Sequence, residues 1–83
     1  MRKILIIGAG KSASQLINYL LDKAKTENLE ITVGDLSLAS AKKLIGNHPA
    51  GKAIELDVFN TQQRREAIKA ATIVISMLPA RFH

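Results

Sequence analysis

The chain of 83 residues contains no cysteine and no tryptophan. Without cysteine it can form neither disulfide bonds nor thiolate metal sites, and a reducing cytoplasm is the expected compartment. The two histidines, His48 and His83, are too few and too far apart to predict a zinc site. No apolar run approaches the roughly 18 residues that a membrane-spanning helix requires. We therefore expect no metal and no membrane partner.

Aromatic residues are scarce, since the chain has only Tyr19, Phe59 and Phe82. The formal net charge is +5, which is compatible with a nucleic-acid partner. However, three scattered aromatic residues provide no stacking platform for bases. Seven of the basic residues fall on a predicted helix end or on solvated helix faces, namely Lys23, Lys25, Lys42, Lys43, Arg64, Arg65 and Lys69. We therefore predict no binding to nucleic acid. With 47% hydrophobic and 23% charged residues, the composition is that of one small globular domain.

Strand-like and helix-like patterns alternate along the chain. Apolar runs or alternation predict strands over 2–7, 29–34, 52–56 and 72–78. Helical periodicity predicts three helices. The first covers about 11–25. The second runs from an N-cap at Ser37 to Ile45 and is stopped by Gly46, and the third runs from a cap at Asn60 or Thr61 to about Ala70. Short connections and right-handed crossovers then predict a Rossmann-type α/β fold, a βαβαβαβ half-domain with a doubly wound parallel sheet of strand order 3-2-1-4.

The turn after the first predicted strand carries the strongest motif. Gly8-Ala9-Gly10-Lys11-Ser12-Ala13 fits the pattern G-x-G-x-x-A, with a strand before it and a helix after it. In such a turn Gly8 permits the sharp bend, Gly10 lets the backbone approach a pyrophosphate, and the small Ala13 lets the helix pack close to the strand. The free N–H groups of the helix N-terminus would face the phosphates. The motif predicts a dinucleotide site.

The same turn contains Gly10-Lys11-Ser12, the end of the phosphate loop of nucleoside triphosphatases. That loop requires an opening glycine at position 5, which is Leu5 here, and a wide loop over 5–7, where the sequence predicts a strand. This alternative is disfavoured on those grounds. Glycine after the first strand also occurs in doubly wound domains that bind nothing there, so the motif needs a second signal.

Asp35 provides that second signal at the end of the second predicted strand. It lies 22 residues after Ala13 (35 − 13), near the spacing of the carboxylate that binds the adenosine ribose. A carboxylate accepts hydrogen bonds from both ribose hydroxyls and repels a 2′-phosphate. No arginine follows in Leu36-Ser37, so we predict a preference for NAD over NADP. The alternative is that Asp35 only supports the start of the next helix.

The later segments resemble a known family. Three segments resemble the cofactor half of the saccharopine dehydrogenase family, most closely its glutamate-forming members. They are Leu56-Asp57-Val58, Val74-Ile75-Ser76-Met77-Leu78-Pro79 and Phe82-His83. The resemblance covers essentially the whole chain, but only the family's N-terminal cofactor segment. It implies that residues 8–13 carry the pyrophosphate turn and that Asp35 holds the adenosine ribose. It also implies contacts to adenine from Asp57 and Val58, and to the nicotinamide-side ribose from Ser76, Met77, Leu78 and Pro79. Two alternatives stay open: Asp57 would only cap a helix, and Ser76 would only be an ordinary hydroxyl residue of a strand.

The family resemblance also implies a reaction. The complete enzyme would transfer hydride between NAD(P) and the carbon–nitrogen linkage of saccharopine, releasing glutamate in lysine metabolism. Its substrate domain would follow residue 83, so we assign no catalytic residue and expect the 83 residues alone not to turn over. A non-catalytic NAD-sensing module is the alternative. The apolar fourth strand would form an exposed edge, which predicts either further sheet beyond it or pairing in a homo-oligomer.

Overall fold

A computed structural model describes residues 2–8, 11–57 and 59–77, with the backbone alone at Lys11 and Ser12. The predicted alternation of strands and helices is confirmed. The strands are β1 (Arg2–Ile7), β2 (Leu29–Asp35), β3 (Gly51–Glu55) and β4 (Ile73–Ser76). The helices are α1 (Lys11–Glu27), α2 (Leu38–Ile45) and α3 (Thr61–Ala70).

Within the described residues the strands form one parallel sheet in the order β3-β2-β1-β4. This is the predicted order, and it places β1 inside the sheet. Residues 4–7 of β1 are all buried, because helices cover both faces of the sheet at this strand. The apolar run in the sequence therefore reflects burial on both faces.

The main core lies between the sheet and the helices α1 and α2. The apolar stripe of α1 contributes Ala13, Ile17, Leu21 and Ala24, of which Ala13 and Ile17 are 0% exposed. These side chains pack with buried residues of β1 and β2 and with two residues of α2, namely Ile4, Ile6, Leu29, Ile31, Val33, Ala41 and Ile45. Burial of each large aliphatic side chain contributes about 1.5–3 kcal/mol relative to exposure, so this face supplies most of the apolar stabilisation.

Within the described residues, α3 is the one helix that covers the opposite face of the sheet. Leu5, Ile7 and Leu56 form a small buried cluster there, against which Ala67 of α3 packs. None of the ten residues of α3, all of them described, is itself buried. Towards the amino ends of the strands this face becomes charged, since Lys3 pairs in register with Glu30. The polar sequence of α3 thus matches a helix that covers half of one face.

The predicted helix ends are largely confirmed. The Ser37 hydroxyl accepts a hydrogen bond from the Ser40 N–H at 3.2 Å, as an N-cap does. Gly46 ends α2 with φ of 62°, and its N–H donates to the Lys42 carbonyl at 2.8 Å. Of the two residues considered for α3, Asn60 is the N-cap, and its side chain accepts from the Gln63 N–H at 3.1 Å.

The boundaries of β4 differ from the prediction of a strand over 72–78. Within the described residues the ladder runs over Ile73–Ser76, although the residues on each side still bond to β1; Leu78 lies outside the described residues. The Thr72 N–H donates to the Lys3 carbonyl at 2.7 Å, and the Met77 N–H donates to the Ile7 carbonyl at 2.8 Å. The apolar pattern therefore corresponds to the stretch that forms hydrogen bonds to β1. This stretch is slightly longer than the regular ladder.

Candidate functional site

The carboxyl ends of the four strands meet at one edge of the sheet. In register, Ile7 of β1 pairs with Gly34 of β2 and with Ser76 of β4, and Asp35 pairs with Glu55 of β3. The segments that follow the strands therefore emerge side by side. In open α/β sheets ligands bind outside this edge, where the strand order reverses, and here the reversal lies between β1 and β4.

The turn that follows β1 begins at Gly8. This residue is buried and has φ of 101°, a left-handed conformation that favours glycine. Its N–H donates to the Gly34 carbonyl at 2.8 Å, so the turn starts while still attached to β2. The structure thus confirms the sharp bend that was predicted at Gly8.

Helix α1 starts at Lys11, directly after this turn, and its N-terminus lies at the carboxyl edge of the sheet. Its first turn contains no acidic side chain, so the positive end of the helix dipole is not neutralised from within. Ala13 is 0% exposed and belongs to the main core, which agrees with the predicted need for a small residue. Ala9 and Gly10 lie outside the described residues, as do the side chains of Lys11 and Ser12.

The triphosphate interpretation of this turn is wrong for this structure. It requires a wide loop over residues 5–7, but Leu5, Ile6 and Ile7 belong to β1 and pair in register with both neighbouring strands. Leu5 is 2% exposed. A short glycine turn follows the strand, and such a turn suits a pyrophosphate at the helix N-terminus.

Asp35 is half-buried and ends β2 at the same edge. Its Oδ2 accepts a hydrogen bond from the Ser37 N–H at 2.9 Å. The carboxylate therefore does support the start of α2, as the alternative interpretation proposed. A carboxylate offers about four acceptor positions on its two oxygens, so this bond is compatible with additional donors. It also fixes the orientation of the carboxylate at the edge.

Asp57 lies in the turn that follows β3 and is also half-buried. Its Oδ1 accepts a hydrogen bond from the Phe59 N–H at 3.0 Å, and its own N–H donates to Gln63 Oε1 at 3.1 Å. The α3 N-cap is Asn60, so Asp57 shapes the turn that leads to the helix without capping it. Val58 lies outside the described residues.

At β4, Ser76 ends the strand and is exposed, while Met77 is half-buried and packs against the main core. Leu78 and Pro79 lie outside the described residues.

The structure therefore brings Gly8, Asp35, Asp57 and Ser76 to one edge, as predicted. Gly34 and Leu56 lie at the same edge and were not selected as site residues from the sequence. For Gly34 the sequence did offer a signal, because a glycine near the end of a strand, directly before the candidate ribose carboxylate, indicates a close approach of another part of the chain.

Two other classes of site receive no support from the described parts of the chain. No helix there has the length and apolar character needed to cross a membrane. No group of three or more metal-ligating side chains is found among those residues either.

Comparison with known proteins identifies relatives of this arrangement. The family model described as the saccharopine dehydrogenase NADP binding domain matches residues 4–83. Apo histidine-tagged saccharopine dehydrogenase (L-Glu forming) from Saccharomyces cerevisiae is similar in structure, with a TM-score of 0.87 and 30% sequence identity. That match covers 100% of this chain and 18% of the yeast chain. A search of curated proteins finds no match.

A second solved structure is similar in fold. It is dTDP-glucose 4,6-dehydratase from Bacillus anthracis in complex with NAD, with a TM-score of 0.72 and 20% identity, and the match covers 98% of this chain and 28% of that one. Both structures are enzymes of which this chain matches a minor part. The comparisons give no support to a phosphate-loop triphosphatase or to a non-catalytic NAD-sensing module.

Proposed function

Because this chain belongs to the saccharopine dehydrogenase NADP-binding domain family, we propose that it binds a nicotinamide dinucleotide across the carboxyl edge of its sheet. The observation that carries the proposal is the convergence of the Gly8 turn, the N-terminus of α1 and the Asp35 carboxylate at that edge. A bound nicotinamide supplies hydride transfer, and the protein supplies binding and orientation.

The residues at the edge fit the chemical groups of the cofactor. We assign the pyrophosphate to the turn of residues 8–13, because the positive φ of Gly8 and the N-terminus of α1 suit a phosphate. Asp35 would accept hydrogen bonds from the adenosine ribose. Asp57 and Val58 would border the adenine, and residues 76–79 would lie along the nicotinamide-side ribose.

We propose that NAD is bound in preference to NADP. The Asp35 carboxylate is held at the end of β2 by the Ser37 N–H, where it would face the adenosine ribose and repel a 2′-phosphate. The matching family is described as NADP-binding. The proposed preference for NAD therefore rests on the aspartate at position 35 of this chain and not on its family.

The dinucleotide site is tested by direct titration. NADH should bind saturably to the chain, with enhanced nicotinamide fluorescence, whereas ATP with magnesium should not compete at matched concentration. The physical reason is that the short turn after β1 accommodates a pyrophosphate at one helix N-terminus but cannot surround a triphosphate. A chain that binds ATP–magnesium but neither NADH nor NADPH would contradict the proposal.

We further propose that the domain serves an oxidoreductase that acts on the carbon–nitrogen linkage of saccharopine and releases glutamate, in cytoplasmic lysine metabolism. The support is the similarity to the yeast L-Glu-forming enzyme at 30% identity over the full chain. No residue of this chain is assigned a catalytic role. Saccharopine-dependent reduction of NAD⁺ by a protein that contains this domain, with glutamate as a product, is the corresponding assay.

Within the described residues β4 lies at one edge of the sheet, and this edge supports a proposal of self-association. Ile73 and Val74 are 41% and 38% exposed, and β4 carries no charged side chain. The opposite edge strand, β3, presents Lys52 and Glu55, which are exposed and of the kind that protects sheet edges. We propose that β4 pairs with the β4 of a second copy.

Lysine at position 74 is expected to prevent this pairing. Sedimentation of the unmodified chain should show an average mass that rises with concentration, while Val74→Lys should remain monomeric, because a charge on an edge strand opposes strand addition. Ile68→Lys is the matched control, since Ile68 is 42% exposed and belongs to α3 and not to a strand. An unmodified chain that stays monomeric at the highest concentration would exclude the pairing.

A further inference from the structure

Gly34, the next-to-last residue of β2, has little room for a side chain. A Cβ placed on it would lie 3.0 Å from Cδ2 of Leu56 and 3.1 Å from Cβ of Leu56. Leu56 is 2% exposed. Its Cβ is attached directly to the backbone after β3 and cannot move aside as the tip of a flexible side chain can. A side chain at position 34 would therefore push against Leu56 where the ends of β2 and β3 lie side by side.

This contact lies between the residues of the candidate site. Gly34 directly precedes Asp35, and Leu56 directly precedes Asp57. The Leu56 N–H donates to the Asp35 carbonyl at 2.9 Å, and the Gly34 carbonyl accepts from the Gly8 N–H at 2.8 Å. Gly34 and Leu56 thus join the phosphate turn and the two strand ends that carry the acidic residues.

We propose that Gly34 and Leu56 act as a positioning pair for the adenosine half of the dinucleotide. Their close contact sets the separation of the Asp35 and Asp57 carboxylates, and neither residue needs to touch the cofactor. The inference rests on the proposed function, which places these carboxylates on the ribose and beside the adenine. Hydrogen bonds weaken steeply when their geometry departs from the optimum, so a small shift between β2 and β3 should weaken binding.

Alanine at position 34 tests the pair. Gly34→Ala should bind ADP-ribose about fivefold more weakly than the unmodified chain, because the added methyl group forces the two strand ends apart and misaligns hydrogen bonds to charged groups. NADH should weaken by about the same factor, since the nicotinamide half is not involved. Dissociation constants are measured by calorimetry and corrected for the folded fraction from urea titrations.

The other end of β3 offers a matched control. A Cβ on Gly51 would lie 2.5 Å from Cγ2 of Ile45, and Ile45 is 7% exposed. This is the same kind of contact between a glycine and an aliphatic side chain, but it lies at the amino end of the strand. Gly51→Ala should therefore lower the stability while the folded protein binds ADP-ribose within about twofold of the unmodified chain.

A second pair of variants covers the case in which Gly34→Ala does not fold. Leu56→Ala removes the part of the contact made by Cδ2 while keeping Cβ, and it should also weaken ADP-ribose binding several-fold, whereas Ile45→Ala should lower only the stability. A stabilising osmolyte keeps both variants folded during the titrations. A folded Gly34→Ala or Leu56→Ala chain with unmodified affinity would overturn the positioning pair alone. An unmodified chain that binds neither ADP-ribose nor NADH would instead refute the proposed function and, with it, this inference.

Discussion

Replacement of Asp35 by arginine is expected to reverse the cofactor preference of this chain, changing the ratio of NADH to NADPH affinity by about 100-fold or more. The carboxylate at the end of β2 is the acceptor that we place on the ribose hydroxyls, and its charge repels a 2′-phosphate. A guanidinium group at the same position would lose those hydrogen bonds and could form paired hydrogen bonds to the phosphate. Parallel titrations with NADH and NADPH measure the ratio.

Two asparagine variants separate the charge of Asp35 from its structural role. Asp35→Asn retains an oxygen that can accept from the Ser37 N–H, which now bonds Oδ2 at 2.9 Å, but it removes the charge. It should relax the preference without destabilising α2. Asp57→Asn makes the same change at the neighbouring strand end and should affect NADH and NADPH equally. A folded Asp35→Arg chain with an unchanged affinity ratio would remove Asp35 from the site.

Valine at position 10 is expected to weaken NADH binding by about two orders of magnitude or more. The turn begins at Gly8 with φ of 101° and α1 begins at Lys11, so position 10 directly precedes the helix N-terminus. The second glycine of the motif lets the backbone approach the pyrophosphate, and a branched side chain there would occupy the volume of the phosphate. Fluorescence titration with NADH measures the loss.

Gly46→Val provides the control for valine in place of glycine. Gly46 ends α2 with φ of 62° in an exposed turn, and a Cβ there meets no atom within 4 Å. The substitution should reduce the stability through backbone strain but leave NADH binding to the folded chain unchanged. NADH binding to Gly10→Val that equals binding to Gly46→Val would show that the pyrophosphate does not contact this turn.

Much of the fold was predictable because its signals are local. The apolar run of β1, the stripe of α1 and the caps at Ser37 and Gly46 each involve residues a few positions apart, and the structure confirms them. The order β3-β2-β1-β4 was also predictable, since right-handed crossovers and short connections leave few alternatives. The prediction for β4 extended too far because an apolar pattern continues beyond the regular ladder.

The candidate site was predictable only in part. Gly8 and Asp35 were identified by their spacing, and the structure places both at the carboxyl edge. Gly34 was missed because its significance comes from Leu56, a residue on another strand. The hydrogen bond from the Ser37 N–H to Asp35 shows that a residue chosen for a ligand can also support a helix. Spacing in the sequence does not distinguish these two roles.

The sequence by itself determined the alternation of strands and helices, the glycine turn before α1 and the acidic residue at the end of β2, since each depends on neighbouring residues. Only the tertiary structure decided which strand ends lie side by side and how closely β2 approaches β3. Within the described residues it also decided that Ile73 and Val74 of β4 remain 41% and 38% exposed. These properties arise from contacts between residues far apart in the chain, and packing sets the distances between them.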